Sequence, residues 1–200
     1  MRFNRTATAA LLLALATPAF ADVEHYTVDP DHTYVSMEVP HIQSISIWRG
    51  KFDHTQSGSI TLDRTKKTGT VDIVIDAASV DFGHKKLNEE LQEEKFFDTK
   101  KYPTATYHSD SIKFDGDTPV EVDGQLTLHG VTKPVTLKIN SFKCIMHPML
   151  KVQVCGADAS ATFDRADFGI DNGIKFTGTG KVNLQIQVEA ALDGKPGPSH

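Results

Sequence analysis

The 200-residue sequence predicts an all-β domain built from many short antiparallel strands. Apolar and polar residues alternate with a period of two along most of the chain, the signature of strands with one buried and one wet face. Turn residues separate these stretches at short intervals, the pattern of a sandwich or a barrel. Helical spacing is confined to one segment.

The chain opens with Arg2 and Arg5, then an apolar run from Ala7 to Ala16 centred on Leu11, Leu12, Leu13 and Leu15. Pro18 and the small-residue triplet Ala19-Phe20-Ala21 follow. This is the layout of a secretory signal peptide cleaved after Ala21. The run is shorter than the roughly 20 residues that span a bilayer, and no Cys follows the cleavage point to carry a lipid anchor. The expected organisation is a signal peptide over 1–21, one domain over 22–192 and a flexible Gly/Pro-rich tail over 193–200. The net charge of −5 argues against nucleic acid or an anionic membrane surface as partner. No later segment is apolar enough for stable membrane insertion.

The alternating stretches follow in order. They are Val35-Met37-Val39, Ile60-Leu62, Val71-Ile73-Ile75, Leu126-Leu128, Val135-Leu137-Ile139, Ala159-Ala161-Phe163 and Val182-Leu184-Ile186-Val188. One wet face per strand favours antiparallel pairing, because parallel sheets are covered on both sides. Turn signals lie at Asp63 to Gly69, Asp115-Gly116-Asp117, His129-Gly130 and Asp171-Asn172-Gly173. Between His84 and Lys95, Leu87 and Leu91 stand four apart among charged residues, which predicts a short amphipathic helix over about 84–95. Phe96-Phe97 should then plug into the core.

Catalytic patterns are missing. There is no G-x-S-x-G elbow and no H-E-x-x-H helix, so no enzyme activity is expected. Gly178-Thr179-Gly180-Lys181 lacks the Ser/Thr of a phosphate loop and reads as a turn before the last strand. Asp164 and Asp167 flank Arg165 and read as a structural ion pair. The nine histidines show no metal-ligand spacing. Cys144 and Cys155 bracket Met146, His147 and Met149. One reading is a disulfide clamping a hairpin, as two cysteines in an exported chain favour. The other is a redox or soft-metal site of Cys, Met and His.

Five segments together resemble the YceI family of periplasmic, polyisoprenoid-binding proteins. They are Val28 to Thr33 (VDPDHT), His41 to Phe52 (HIQSISIWRGKF), Phe96-Phe97-Asp98 with Tyr102-Pro103, Leu126 to Val135 (LTLHGVTKPV) and Asp164 to Ile170 (DRADFGI). The resemblance implies an extended lipocalin-like antiparallel barrel of about eight strands. It implies a periplasmic protein that binds, stores or transports an apolar lipid ligand, such as a polyprenyl chain or an isoprenoid quinone, with no required cofactor and no catalysis. The expected barrel-lining residues are Val35, Met37, Val39, Ile45, Trp48, Phe52, Leu91, Phe96, Phe97, Leu126, Leu128, Val135, Leu137, Ala161, Phe163 and Phe168. A homodimer is left open. The chain departs from the family pattern at Gln43, at Leu87, Asn88 and Glu90, and in its Cys-Met-His hairpin. N-terminal sequencing of exported protein should begin at Asp22; an intact Met1 in that fraction would exclude the signal peptide.

Overall fold

Residues 23–193 are described by the computed structural model; the expected signal peptide, and the tail after Asp193, lie outside them. Eleven strands form one antiparallel sheet. They are β1 (Glu24–Val28), β2 (Tyr34–His41), β3 (Ser46–Phe52), β4 (Thr55–Asp63), β5 (Thr68–Asp76), β6 (Val80–Asp81), β7 (Thr104–Asp115), β8 (Thr118–Leu128), β9 (Val131–Met146), β10 (Gln153–Asp164) and β11 (Lys181–Leu192). Eight of them close a ring in the order β1-β4-β5-β7-β8-β9-β10-β11 and back to β1. The ring is the expected lipocalin-like barrel, with β2, β3 and β6 as an extension beside β11.

The ring closes because β11 serves two partners on one edge. Its residues 183–187 pair with 34–38 of β2, and 190–192 pair with 26–28 of β1. Between β1 and β2 the chain must step aside, and the VDPDHT segment makes that step. Pro30–His32 form a 3-10 turn capped by Asp29, whose carboxylate accepts from the Asp31 N–H at 3.0 Å. Proline suits this position because it has no N–H to leave unpaired. The Asp29 N–H donates to the Glu189 carbonyl at 2.8 Å, and the Thr33 hydroxyl accepts from the Glu189 N–H at 3.3 Å. The Thr55 hydroxyl in turn donates to the Thr33 carbonyl at 3.0 Å. Both threonines are buried, so each polar atom needs the partner it has.

Period-two alternation positions the interior, with one interruption. On β9, Val135, Leu137 and Ile139 face in. Asp158 pairs with Ser141 and Ala159 with Ile139, so Asn140 is an unpaired extra residue. One inserted residue reverses the facing of everything after it. Phe142 and Cys144 therefore turn inward.

Strand ends gather into two barrel ends. The first holds the β2–β3 turn, the β8–β9 turn, the 92–103 segment, a 3-10 turn at Arg165–Phe168, and two helices, α1 (Lys85–Leu91) and α2 (Ile174–Thr177). The second holds the β4–β5, β7–β8 and β9–β10 turns. There Arg64 pairs with Glu24 at 2.8 Å, donates to the Asp117 carbonyl at 3.0 Å and lies over the Phe142 ring at 5.4 Å.

α1 is shorter than the spacing predicts, ending at Leu91 and not near 95. The chain curls into tight turns there, with the Phe97 N–H donating to the Leu91 carbonyl at 3.0 Å and Asp98 at φ +46°. The curl turns Phe96 and Phe97 toward the barrel, which a continuing helix could not do. The His84 ring accepts from the Leu87 N–H at 3.2 Å as the N-cap. Asn88 anchors the helix, accepting from the Phe82 N–H at 2.8 Å and donating to the Asp81 carboxylate at 2.6 Å. The Asp171-Asn172-Gly173 turn leads into α2, a single helical turn too short to show in the spacing of apolar residues.

Tyr107 crosses three strands of the wall. Its hydroxyl donates to the Val135 carbonyl at 2.8 Å, with the Val122 carbonyl 3.1 Å away. The hydroxyl end of the ring lies against Gly124, where a Cβ would sit 2.4 Å from the ring and 2.7 Å from the His108 carbonyl oxygen. Because backbone is among the obstacles, Gly124→Ala should lower stability by about 1–3 kcal/mol, read as a lower urea midpoint with an unchanged slope. An unchanged midpoint would mean that the tyrosine moves freely.

Candidate functional site

The inward side chains do not fill the barrel. They surround a cavity of about 430 Å³, within the range of small-molecule sites, roughly 300–1,000 Å³. Its wall comes from every strand of the ring except β1, together with β2, β3 and α1. Exposed Asn172 and half-buried Gly173 and Thr177 form part of the lining, so the cavity reaches the surface at the first end. Trp48 stands there between His41 and His84 in edge-to-face contacts, with ring centroids 5.5 and 6.1 Å apart.

Thirteen of the sixteen residues expected on the lining are brought together around the cavity: Val35, Met37, Val39, Trp48, Phe52, Leu91, Phe96, Phe97, Leu126, Leu128, Val135, Leu137 and Phe163. Three are not. Ile45 is 77% exposed. The inward residues of β3 are Trp48, Gly50 and Phe52, so an odd-numbered neighbour in the same strand register faces out. Ala161 packs against the interior cluster, but its single methyl does not reach the cavity surface; Ala157 and Ala159 do. Phe168 lies past the end of β10, is 1% exposed, and packs edge-on against Phe163 at 5.2 Å. It seals the barrel end behind the wall. Residues absent from the expected set include Ile73, Ile75, Leu184, Ile186 and Phe142. The first four carry the same alternation signal; Phe142 is hidden by the Asn140 bulge.

Polar groups on the wall are few: Thr33, His41, Thr106, Arg165, Asn172 and Thr177, with the bonded hydroxyl of Tyr107. The expected ion pair of Arg165 with Asp164 or Asp167 is not formed. The Asp164 carboxylate caps the 3-10 turn by accepting from the Ala166 N–H at 2.9 Å. Arg165 is buried and donates to the Ile170 carbonyl at 2.7 Å. Burial pulls its guanidinium below the usual arginine range, while Asp164 and Asp171 act through space in the opposite direction. Burial likewise pushes the Tyr107 phenol up.

The 3-10 turn that carries Arg165 is braced by contacts among residues of three separate segments. The His129 ring donates from Nδ1 to the Phe168 carbonyl at 3.1 Å. The Tyr102 ring packs on His129 with centroids 4.9 Å apart and lies 2.4 Å from where a Cβ on Gly130 would stand. Gly130 and Gly169 both have φ +74°, a left-handed conformation that glycine adopts without strain.

At the second end, Cys144 and Cys155 are directly opposed on β9 and β10 and joined by a disulfide. Their thiolates are therefore unavailable to a metal. Met146 and Met149 are exposed, and the His147 ring accepts from the Met149 and Leu150 N–H groups as part of the turn. Among the described residues no group of three or more His, Cys, Asp or Glu could hold a metal ion, and no helix is long and apolar enough to cross a membrane. The soft-metal and redox reading of this hairpin is not favoured.

A family model described as the YceI-like domain matches residues 26–192. A UPF0312 protein of Pseudomonas aeruginosa is 34% identical over 191 residues, covering 94% of this chain and 95% of that protein. A UPF0312 protein of Vibrio vulnificus is 31% identical over 183 residues, covering 90% and 93%. Among solved structures, Burkholderia cenocepacia BcnA superposes with a TM-score of 0.64 at 25% identity, covering 78% of this chain and 95% of that one. A polyisoprenoid binding domain from Saccharophagus degradans, implicated in plant cell wall breakdown, superposes with a TM-score of 0.61 at 18% identity, covering 84% and 98%.

The disulfide closes a loop with a sequence separation of 11. Replacing both cysteines with serine should cost about 2–3 kcal/mol of stability while leaving the barrel formed. The unreduced parent should show no thiol to a labelling reagent; prompt labelling of both would contradict the bridge.

Proposed function

The chain belongs to the YceI-like domain family, and on that premise we propose that its barrel binds a long apolar isoprenoid-type lipid, a polyprenyl chain or a quinone tail, as a periplasmic carrier or store without catalysis. One observation carries this reading: the cavity wall is almost wholly apolar, and β10 presents only the methyls of Ala157 and Ala159 to it before Phe163. Small residues in a ring of larger ones leave space for a ligand where a packed core would be filled. The fold relative from Saccharophagus degradans, described as polyisoprenoid-binding, supports the same ligand class.

The energetics suit a tail-dominated ligand. Burying an isoprenoid of about 30 carbons releases on the order of 20 kcal/mol gross, at roughly 0.8 kcal/mol per methylene. Immobilising the chain takes back a large part. The remainder still sustains tight binding with few polar contacts, which matches a wall with few polar groups.

Protein purified from the periplasm and extracted with organic solvent should release a lipid identifiable by mass spectrometry. Ala159→Trp should keep the strand signature in circular dichroism and release several-fold less lipid, because the indole occupies the tube. A parent that yields no lipid, or a folded Ala159→Trp variant that retains as much as the parent, would overturn the proposal.

A further inference from the structure

Four large apolar side chains stand exposed around the cavity mouth. Ile42 is 49% exposed, Ile45 77%, Ile47 39% and Phe176 74%. The first three lie on the β2–β3 turn and the start of β3, the fourth on α2. The two segments are tied together, the Gln43 N–H donating to the Phe176 carbonyl at 2.8 Å. Their neighbours in the chain line the cavity: His41 and Trp48 on one segment, Gly173 and Thr177 on the other. The patch and the opening are therefore one surface. The turn is also strained. Ile42, Gln43 and Ser44 have φ of +22°, +50° and +63°, a run that glycine would adopt without strain and a β-branched residue rarely does. An outward isoleucine is kept where glycine would suit the backbone better.

Charge is scarce on the same tip. From Val39 to Trp48 there is no Asp, Glu, Lys or Arg, and from Asn172 to Gly180 only Lys175. The residues flanking these stretches balance. Glu38 and Arg49 pair at 2.7 Å, and Asp171 and Lys181 carry one charge of each sign. Four side chains fall well short of a standard protein interface, which needs roughly 800 Å² per partner from about 20–30 residues a side. A bilayer asks for less. Apolar side chains sink about 5–10 Å into the boundary between head groups and acyl chains, and a lysine at the edge keeps its ammonium in water. Met146 and Met149 are exposed as well, but they stand at the other end of the barrel, where the cavity has no exposed lining residue.

We infer that the cavity mouth docks shallowly and reversibly on a phospholipid bilayer, with Ile42, Ile45, Ile47 and Phe176 as its anchors. The inference rests on the lipid-carrier reading above and adds where the lipid enters and leaves. With a net charge of −5, the attraction is apolar and not ionic. A tail that passes from bilayer to tube across this contact avoids water, whose cost grows with every methylene exposed.

Exported, delipidated protein is mixed with phosphatidylcholine vesicles containing a prenylated benzoquinone, and the vesicles are floated on a density gradient. The parent should float with them, with less than about a twofold change between low and high salt. Ile45→Asp with Phe176→Asp changes two exposed positions. This variant should keep the parent's circular dichroism and float about tenfold less. Met146→Asp with Met149→Asp places the same charges at the far end and should float as the parent does. Quinone carried by the protein after the vesicles are removed is measured by mass spectrometry. The Ile45/Phe176 variant should load several-fold more slowly from vesicles and as fast as the parent from detergent-dispersed quinone. Should it misfold, the serine pair at the same positions replaces it. A parent that does not float, equal floating of the Ile45/Phe176 variant, or equal loss in the Met146/Met149 variant overturns the inference. So does release of the parent by high salt, or a parent dimer that the Ile45/Phe176 variant breaks, since the patch then faces a second copy. A parent that floats but takes up quinone from neither source supports the docking and removes the carrier reading instead.

Discussion

The structure depends on the seam where β11 finds partners for its whole free edge. A barrel must satisfy every strand's N–H and C=O groups around the circumference, and an unmatched edge would be open to other chains. Here β1 and β2 divide β11 between them. At the join, around Glu189, neither strand can supply a regular ladder. The Asp29 backbone and the Thr33 hydroxyl take its place, and Thr55 locks Thr33 from the β4 side. Through this device the chain can close an eight-stranded ring and still send β2 and β3 outward to extend the wall. The cavity, its mouth and the placement of α1 all follow from that extension.

The segments that resemble family motifs turn out to serve construction more than contact. VDPDHT makes the seam. The Tyr102-Pro103, LTLHG and DRADFGI segments converge on one point at the first end, where Tyr102 lies on His129 and Gly130, and His129 holds the Phe168 carbonyl. Pieces distant in sequence must meet with fixed geometry there, so particular side chains are needed. The wall asks only for inward apolar groups of suitable size, and many sequences meet that demand. Arg165 is the exception, set in the constructed end yet reaching the cavity.

How much was legible follows from the same distinction. Alternation reads the facing of a residue wherever a strand is regular, which is why Val35 to Val39 and Val135 to Leu137 lie where expected. It fails where the register is altered. The extra Asn140 turns Phe142 inward, and nothing in the local composition marks that bulge. Ile45 and Trp48 cannot share a face, since they stand three positions apart, an odd spacing; the turn through Ile42, Gln43 and Ser44, all at positive φ, leaves Trp48 inside and Ile45 out. Phe168 lies beyond its strand, where a period of two no longer applies. For Ala161 the facing is right and the reach too short, a matter of side-chain length that alternation does not encode. The seam and the Arg165 environment depend on contacts between distant segments, so composition and spacing carried no sign of their geometry.

The size of the cavity bears on how such a barrel stays folded. If a volume of about 430 Å³ stayed dry, the cost of that void, at about 24 cal/mol per Å³, would amount to about 10 kcal/mol. That is comparable to the whole stability of a domain, about 5–15 kcal/mol. The walls must therefore be braced by interactions that do not cross the tube. They are: the continuous ring of strand pairing, the Tyr107 hydroxyl tying three strands, the Arg64–Glu24 pair and the β9–β10 disulfide all act within the wall or at its ends. An occupant that fills the void and packs against both sides of the tube then stabilises the fold in proportion to its own affinity. Binding and folding are thus two readings of the same inward surface, and a barrel braced in this way can release its ligand without losing its shape.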